Sequence, residues 1–175
     1  MPARRILQLG DPMLRLKSET VRQPEDAALV LRDLRATLHE FQRTQGFGRG
    51  ISAIQIGVPL RLIYIEFEGA AYPLINPVWE RMSEEKFVLW DDCFSFPGLM
   101  VKLERSVSVR LRYQQAGGQW NTLEARGAFS ELLQHEMDHQ DGILAVDRAL
   151  DSNSLATRLE WRRRLVSPCR ALDLA

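Results

Sequence analysis

The chain has little cysteine and histidine and no long apolar run. Of its 175 residues, two are Cys and three are His. Cys93 and Cys169 cannot form a disulfide framework, so a cytoplasmic location is expected. No apolar run approaches the ~20 residues of a membrane helix, and the first apolar run ends too early for a signal peptide. A site that needs imidazole or thiolate ligands must therefore draw on five side chains.

The sequence also lacks an excess of charge of either sign. Its 23 Lys and Arg residues balance 23 Asp and Glu residues, so no overall attraction to nucleic acid or to an anionic membrane is expected. Hydrophobic residues make up 45% of the chain and charged residues 26%, which argues against wholesale disorder. The length, without repeats or linkers, predicts a single domain over residues 1–175.

Hydrophobic periodicity predicts an α+β fold. Helical spacing runs over about 24–45, after a Pro and two acids, and returns over about 127–142. A β-rich run predicts a strand over 60–69, and alternation predicts another over 107–113 with a return strand over 119–124. The order of these elements predicts antiparallel strands packed around a central helix, with N-terminal and C-terminal helices.

Two further features bear on the fold. Pro73, Pro77 and Pro97 indicate irregular or edge segments rather than a continuous central sheet, because proline cannot donate a ladder hydrogen bond. A last amphipathic helix is expected over about 154–165, where four arginines accompany the apolar residues. Its basic face is interpreted as solvent-exposed.

The segment Gln134-His-Glu-Met-Asp-His139 carries the clearest chemistry. His135 and His139 lie four residues apart, so one turn of helix places both imidazoles on one face, where one metal ion can bridge them. Glu136 lies beside the first imidazole, where its carboxylate can act as a base without being a ligand. H-E-x-x-H is a metallohydrolase signature, and it predicts that the central helix binds a metal.

A catalytic site of this kind requires a third protein ligand. A metzincin would have histidine at position 145, where this chain has Ala145, and the only later Glu is Glu160 on the Arg-rich stretch. His39 belongs to the first predicted helix, as a surface or interface residue, and Cys169 lies in the C-terminal tail. These exclusions leave Cys93 as the third ligand.

The surroundings of Cys93 support that choice. A free cysteine is more often a small buried hydrophobe than a ligand, but this one lies in Asp91-Asp-Cys-Phe-Ser95, just before a Pro-Gly turn. A thiolate with two imidazoles suits Fe(II), Zn(II), Co(II) or Ni(II). It suits Mg or Ca poorly, because those ions favour oxygen ligands.

A third segment is rich in glycine. Four of the eleven glycines fall within 46–57, but the segment lacks the Lys-Ser/Thr ending of a nucleotide-binding loop. It is interpreted either as a flexible turn or as a bare stretch of backbone for an extended substrate, with Gln55 pointing inward as a donor.

These three segments together resemble peptide deformylase. That family carries the motifs G-φ-G-φ-A-A-x-Q (φ apolar), E-G-C-L-S and Q-H-E-x-D-H, in this order. This chain has Gly48-Arg-Gly-Ile-Ser-Ala-Ile-Gln55, Asp91-Asp-Cys-Phe-Ser95 and Gln134-His-Glu-Met-Asp-His139. The resemblance spans nearly the whole chain, and three ordered motifs are far more specific than one.

The resemblance implies a metal-dependent hydrolase that removes the N-formyl group from N-formylmethionyl peptides of nascent chains. Cys93, His135 and His139 would hold one divalent metal ion, natively Fe(II), with Zn(II), Ni(II) or Co(II) as possible substitutes. Glu136 would accept a proton from the attacking water and pass it to the leaving amine.

The same resemblance implies how substrate would bind. The side-chain amide of Gln55 and the backbone N–H of Phe94 would stabilise the negative charge that develops on the formyl oxygen. The backbone of Gly48, Arg49 and Gly50 would pair with the peptide like an added strand. Arg49 would lie at the mouth of the site and favour acidic residues just beyond formylmethionine.

Several residues depart from the family's motifs. Arg49, Ser52, Asp92 and Phe94 replace the usual residues, and Asp91 stands for Glu. None of them is a predicted metal ligand, the base or Gln55, and they cluster where substrate would lie. Two alternatives therefore stay open: a deformylase-like paralogue with altered acyl or peptide specificity, and an inactive binding module on the same fold.

Two weaker hypotheses concern charged residues outside the motifs. Asp138 could pair with Arg105 and brace the metal-binding helix, or it could simply be solvated. The arginines of 158–164 could dock on the ribosome, as the resemblance suggests, or form a solvated helix face. Neither a membrane nor a specific nucleic-acid sequence is expected as a partner.

Overall fold

The computed structural model describes residues 3–166, which form three α-helices and eight strands. The helices are α1 (Ala28–Gln45), α2 (Ala128–Gln140) and α3 (Arg158–Val166). The strands are β1 (Gly50–Ser52), β2 (Leu62–Phe67), β3 (Ala70–Met82), β4 (Lys86–Asp92), β5 (Leu99–Ser106), β6 (Ser108–Gln114), β7 (Trp120–Arg126) and β8 (Leu155–Thr157). Short 3₁₀ turns span Pro12–Arg15, Pro24–Ala27, Ala53–Ile56 and Ala145–Arg148. No helix in this part of the chain is long and apolar enough to cross a membrane.

Two antiparallel sheets surround the central helix. The larger sheet has the strand order β1-β2-β3-β6-β7, and the smaller has β4-β5-β8. Helix α2 packs against β1, β2 and β7 of the larger sheet and against β5 of the smaller one. Its side chains are buried from Phe129 to Gln140. The predicted α+β class is thus confirmed, with antiparallel strands around a central helix and helices near both ends of the described chain.

Strand β2 shows why this sheet needs a helix on each face. Leu62 and Tyr64 belong to the cluster that contains α1 side chains, whereas Ile63 and Ile65 belong to the cluster that contains α2 side chains. Successive strand residues point to opposite faces, so a continuous apolar run fits a strand covered on both sides. Fully burying each such side chain is worth roughly 1.5–3 kcal/mol.

Helix α1 confirms the helix predicted over 24–45, apart from its first turn. Pro24–Ala27 forms a 3₁₀ turn, and the α-helix begins at Ala28. Leu34 and Leu38 lie one turn apart and are fully buried. Gly46 ends the helix in a left-handed conformation (φ 76°), where glycine carries no steric penalty.

The expectation from the prolines was wrong for two of the three. Pro73 and Pro77 lie in β3, the middle strand of the larger sheet. Strand β3 pairs with β2 through Ala70–Ile75 and with β6 from Ile75 onward, so Pro73 lies where β6 is not yet a partner. Pro77 lies at a register shift beyond the end of β2. Each proline thus occupies a place where a ladder hydrogen bond is missing. Pro97 lies in the turn between β4 and β5, as predicted.

The helix expected over 154–165 begins later than predicted. Residues Leu155–Thr157 form β8, which pairs with β5, and the helix starts at Arg158. Leu155 and Leu159 are 46% and 61% exposed. These two residues therefore do not form the buried face of an amphipathic helix. The predicted strands over 60–69, 107–113 and 119–124 correspond to β2, β6 and β7. Strands β1, β3, β4, β5 and β8 were not predicted.

Candidate metal centre

Three ligand atoms meet between the C-terminal end of β4 and the face of α2. The Cys93 Sγ atom lies 3.2 Å from His139 Nε2, and His139 Nε2 lies 3.2 Å from His135 Nε2. The side chains of Cys93, His135 and His139 are buried, and their ligand atoms lie within 4.8 Å of one another. The structure therefore brings the three predicted ligands together around one point.

The local structure of each segment explains this convergence. The two histidines follow from the four-residue spacing on α2. Cys93 comes directly after β4, in a tight turn where the Phe96 N–H donates to the Cys93 carbonyl (3.1 Å). The Cys93 Sγ atom accepts hydrogen bonds from the Ser95 N–H (3.5 Å) and from Gln55 Nε2 (3.6 Å), which fix the direction of the thiol.

A carboxylate orients the first histidine. The Asp91 Oδ2 atom lies 2.9 Å from His135 Nδ1, which leaves Nε2 to face the other two ligand atoms. Partners of this kind fix the tautomer and the ring orientation of metal-binding histidines. Burial raises the pKa of Asp91, but its ion pairs with His135 and Arg105 outweigh burial and lower the pKa to about 2. Burial lowers the pKa of His139.

A buried arginine holds that carboxylate in place. Arg105 donates to Asp91 Oδ2 (3.0 Å) and to Asp138 Oδ2 (2.5 Å), and it is almost fully buried. Arg148 donates to both oxygens of the same Asp138 (2.5 and 2.6 Å). The hypothesis that Asp138 pairs with Arg105 is therefore confirmed. Arg105 lies on β5 and bonds Asp91 on β4, the strand that ends just before Cys93, and the sequence did not indicate this contact.

Glu136 lines the same cavity, and one of its carboxylate oxygens is buried without a partner in the described chain. The side chain is buried, and its Oε2 atom has no hydrogen-bond partner among the described residues. Burial raises the pKa of the Glu136 carboxyl to about 7. A carboxylate whose pKa lies near neutral pH is suited to take up and return a proton.

An open cavity of about 420 Å³ gives access to these groups. It is bounded by the end of α1, by the strand ends of β1 and β4 and by one face of α2. Its lining residues are Phe47, Gly48, Arg49, Gly50, Gln55, Asp91, Asp92, Cys93, Phe94, Glu131, Leu132, His135 and Glu136. All predicted site residues except His139 line it, and His139 contacts two that do.

The amide of Gln55 has a defined orientation in this cavity. Its Oε1 atom accepts the Ser52 N–H (2.9 Å), so Nε2 is directed at Cys93 Sγ and Ser95 Oγ (3.3 Å). The side chain is buried. The donor side of the amide thus faces the ligand cysteine.

The glycines before β1 are required by close contacts. A Cβ atom on Gly50 would lie 2.8 Å from Glu136 Oε1 and 3.1 Å from the Leu132 side chain. Gly48 has φ 129°, and a Cβ there would lie 2.6 Å from the Phe94 ring. Strand β1 is at the edge of the larger sheet and pairs only with β2, so its other edge is available to an extended chain.

Several cavity residues were missed or misjudged from the sequence. Arg49 donates to Glu131 Oε2 (2.8 Å), so its guanidinium is not the unpaired cation that the acidic-peptide hypothesis assumed. Asp92 pairs with Arg158 of α3 (2.6 Å), and the Arg158 guanidinium lies 4.2 Å over the ring of Phe47. The sequence contained one indication of this contact, because Asp92 stands where the family's motif usually has Gly.

The two other candidate ligands do not join the centre. His39 is exposed on α1, where its Nε2 lies 2.7 Å from Glu66 Oε1. The prediction that His39 is a surface residue is confirmed. Cys169 lies outside the described residues.

The donor set fits a bound metal ion. A sulfur and two imidazole nitrogens converge without a side chain between them, Asp91 orients one ring, and a buried carboxylate lies beside them. Such sulfur and nitrogen ligands suit borderline divalent ions. Three converging donor atoms, a buried carboxylate next to them and an open cavity are the features expected of a metal-dependent hydrolase.

Comparisons with known proteins identify the family. The model of the family "Polypeptide deformylase" matches residues 3–154. The peptide deformylase of Bartonella tribocorum is 36% identical over 155 residues, which are 84% of each chain. That of Thermotoga maritima is 30% identical over 169 residues, which cover 96% of this chain and 98% of that protein.

Solved structures agree with these relatives. The crystal structure of peptide deformylase from Thermotoga maritima has a TM-score of 0.80 and 28% identity, and it covers 86% of this chain and 100% of that one. A peptide deformylase from Synechococcus elongatus, in complex with actinonin, has a TM-score of 0.80 and 30% identity over 95% of this chain and 86% of that one.

The chain belongs to the peptide deformylase family. It is a metal-dependent hydrolase that removes the formyl group from N-formylmethionyl peptides. The resemblance seen in the three motifs is confirmed, and the comparisons do not favour an altered paralogue or an inactive binding module.

Proposed function

We propose that Cys93, His135 and His139 hold the metal of this deformylase and that Glu136 is its general base. The observation that carries the proposal is the meeting of three ligand atoms within 4.8 Å beside a buried carboxylate oxygen without a partner in the described chain. When bound, a divalent metal at these ligands lowers the pKa of a water molecule and polarises a carbonyl group.

Fe(II) is the proposed native ion, and Zn(II), Ni(II) or Co(II) could replace it. The mixed thiolate and imidazole set supports this choice. A thiolate beside iron is prone to oxidation. We therefore expect protein loaded with nickel to keep its activity in air longer than protein loaded with iron. Equal lifetimes would argue against iron as the working metal.

Glu136 carries the proton through the reaction. Its carboxylate accepts a proton from the attacking water and returns that proton to the leaving amine of the peptide. The raised pKa of Glu136 supports both transfers, because the carboxyl can gain and lose a proton near neutral pH.

Two donors stabilise the charge on the formyl oxygen. Gln55 is held with its Nε2 amide toward Cys93, and the backbone N–H of Phe94 follows that cysteine in the chain. A donor of this kind lowers the barrier by about 3 kcal/mol. Because the Ser52 N–H holds the Gln55 amide in this orientation, that donor needs little reorganisation when charge develops.

The free edge of β1 binds the peptide backbone. The stretch Gly48–Arg49–Gly50 borders the cavity, and the Arg49 carbonyl is already used by the Glu66 N–H on the β2 side (2.7 Å). The opposite edge can accept an extended peptide as an added strand. Because Gly50 has no side chain, Glu136 and Leu132 can pack directly against β1 at this edge.

The cellular setting is proposed from the substrate. Formylated nascent chains arise at cytoplasmic ribosomes, so a cytoplasmic location and transient ribosome contact fit the reaction. Arg162 and Arg164 of α3 are exposed and can contact phosphate. Binding to ribosomes across a salt series tests this contact, because phosphate contacts weaken steeply with salt. A specific nucleic-acid sequence and a membrane are not proposed as partners.

The deciding experiment compares formyl-Met and acetyl-Met peptides with protein purified anaerobically. We expect rapid release of formate and no release of acetate, because the acetyl group carries a methyl group where the formyl group carries only hydrogen. That methyl group must also fit next to the metal. Protein that binds one metal ion per chain but releases no formate would contradict the proposed function.

A further inference from the structure

The cavity contains an ion pair that the proposed reaction does not use. Arg49 donates through one terminal nitrogen to Glu131 Oε2 (2.8 Å) and through the other to the Ala128 carbonyl (3.5 Å). The Glu131 side chain is only 6% exposed, whereas that of Arg49 is 43% exposed. The guanidinium therefore reaches from the edge of β1 across to α2, and both side chains line the cavity.

The proposed binding mode would put the first side chain of the substrate near this pair. Glu131 and Leu132 lie four residues before His135 and Glu136 on α2, which corresponds to about 6 Å along the helix axis. A peptide on the edge of β1 with its formyl group at the metal ligands has its first side chain within that distance. An unbranched side chain of methionine length spans it.

The chemistry of this place differs from that of a purely apolar pocket. A guanidinium has five N–H donors, and the two contacts of Arg49 leave others for an acceptor on the substrate. An apolar pocket without a donor disfavours a polar side chain, because the polar group loses its hydrogen bonds to water. Leu132 supplies the apolar contact that a thioether needs.

We propose that the Arg49–Glu131 pair makes this enzyme tolerant of a polar acceptor in the first side chain, so that it deformylates N-formylmethionine sulfoxide peptides as well as N-formylmethionyl peptides. The sulfoxide oxygen accepts a hydrogen bond from Arg49, while the rest of the side chain packs against Leu132. This inference rests on the proposed function of the metal centre.

The test compares kcat/KM for matched peptides that begin with formyl-Met, formyl-Met sulfoxide or formyl-norleucine. The proteins are the metal-loaded parent and the double variant Arg49→Leu with Glu131→Leu, since removing Arg49 alone would leave the Glu131 carboxylate buried without a partner. The control is Arg110→Leu with Glu80→Leu, which removes an Arg–Glu pair (3.0 Å) on the outer face of the larger sheet.

We expect the parent and the control to use the sulfoxide within roughly tenfold of methionine. In the cavity variant, kcat/KM for the sulfoxide peptide relative to the methionine peptide should fall by roughly a further tenfold or more. The kcat/KM for the norleucine peptide relative to the methionine peptide should stay the same. Ratios within one protein cancel differences in folding and metal content. If the leucine pair does not fold, Arg49→Met with Glu131→Met, which also removes every donor, should give the same fall.

Two results would overturn the proposal: a parent that discriminates against the sulfoxide by more than roughly a hundredfold, or a cavity variant whose sulfoxide ratio equals that of the parent. A metal-loaded parent that does not cleave formyl-Met peptides would instead overturn the proposed function, and this proposal with it.

Discussion

Replacing Arg105 with Met should destabilise the fold and loosen the metal site together. Arg105 is buried between Asp91 and Asp138, at 3.0 and 2.5 Å. Methionine has a similar length but no charge, so the Asp91 carboxylate loses its arginine partner while it remains buried. Breaking a buried pair in this way costs about 3–5 kcal/mol. In a domain of this size, that corresponds to a fall in Tm of roughly 6–20 °C.

The same substitution should change the dependence of stability on pH. The pKa of Asp91 is lowered to about 2 from 3.8, so its ionised form stabilises the fold above pH ~4 and this contribution is lost as the pH falls toward 2. Without Arg105 the folded-state pKa of Asp91 rises. Acid unfolding should then begin at a higher pH than in the parent.

The assay for Arg105→Met is urea unfolding followed by circular dichroism, together with metal release to a competing chelator. Because Asp91 orients His135, metal affinity should fall by roughly 10–100-fold. Arg105→Lys is the matched control, since it keeps one charge but cannot bond both carboxylates in the geometry of a guanidinium, and its losses should be smaller. If the free energy of unfolding of Arg105→Met lies within about 1 kcal/mol of that of the parent, the argument that the Arg105–Asp91 pair stabilises the fold is refuted.

Two further predictions test the reacting groups. Glu136→Gln should retain the metal but lose roughly 10²–10⁴-fold in kcat, because the amide cannot accept a proton. Metal content and the rate of formate release are measured on the same protein. Activity within tenfold of the parent would rule out Glu136 as the general base. Gly50→Ala should lower kcat/KM by roughly tenfold or more, because its Cβ would lie 2.8 Å from Glu136 Oε1. Gly98→Ala, whose Cβ would meet nothing within 4 Å, is the control, and equal kcat/KM for the two variants would contradict the proposed close approach.

The metal centre could be predicted from the sequence because its parts are local. A four-residue spacing on a helix fixes His135 and His139 on one face whatever the rest of the chain does. The small number of Cys and His residues then left Cys93 as the third candidate. The fold class followed from helical and alternating periodicity, which described α1, α2, β2, β6 and β7 well.

The errors arose where distant partners decide the structure. Strand β3 contains Pro73 and Pro77, and each is tolerated because the partner strand on one side is absent or shifted at that residue. Only the register of three strands shows this. Likewise, Leu155 joins β5 as a strand, because an edge backbone is available there. Arg49 seemed an unpaired cation until α2 placed Glu131 beside it.

The pairing of Asp92 with Arg158 leads to a last prediction, about the anchoring of α3. Arg158 donates to Asp92 Oδ2 (2.6 Å) and to the Pro97 carbonyl (2.6 Å), and it stacks over Phe47. These contacts attach the first turn of α3 to the rim of the cavity. Asp92→Gly, which restores the residue usual in the family's motif, removes the charged partner but leaves the other two contacts.

We expect Asp92→Gly to reduce the free energy of unfolding by only about 1 kcal/mol, because the pair is partly exposed. The helix should nevertheless open more often, since its first turn is held by fewer contacts. Trypsin should then cleave faster after the arginines of α3, which mass spectrometry of the fragments can follow. Glu160→Gln is the matched control, because it breaks an exposed pair with Arg163 within the same helix. Cleavage at equal rates in the parent, Asp92→Gly and Glu160→Gln would mean that the stacking on Phe47 and the bond to Pro97 suffice to hold α3 against the cavity.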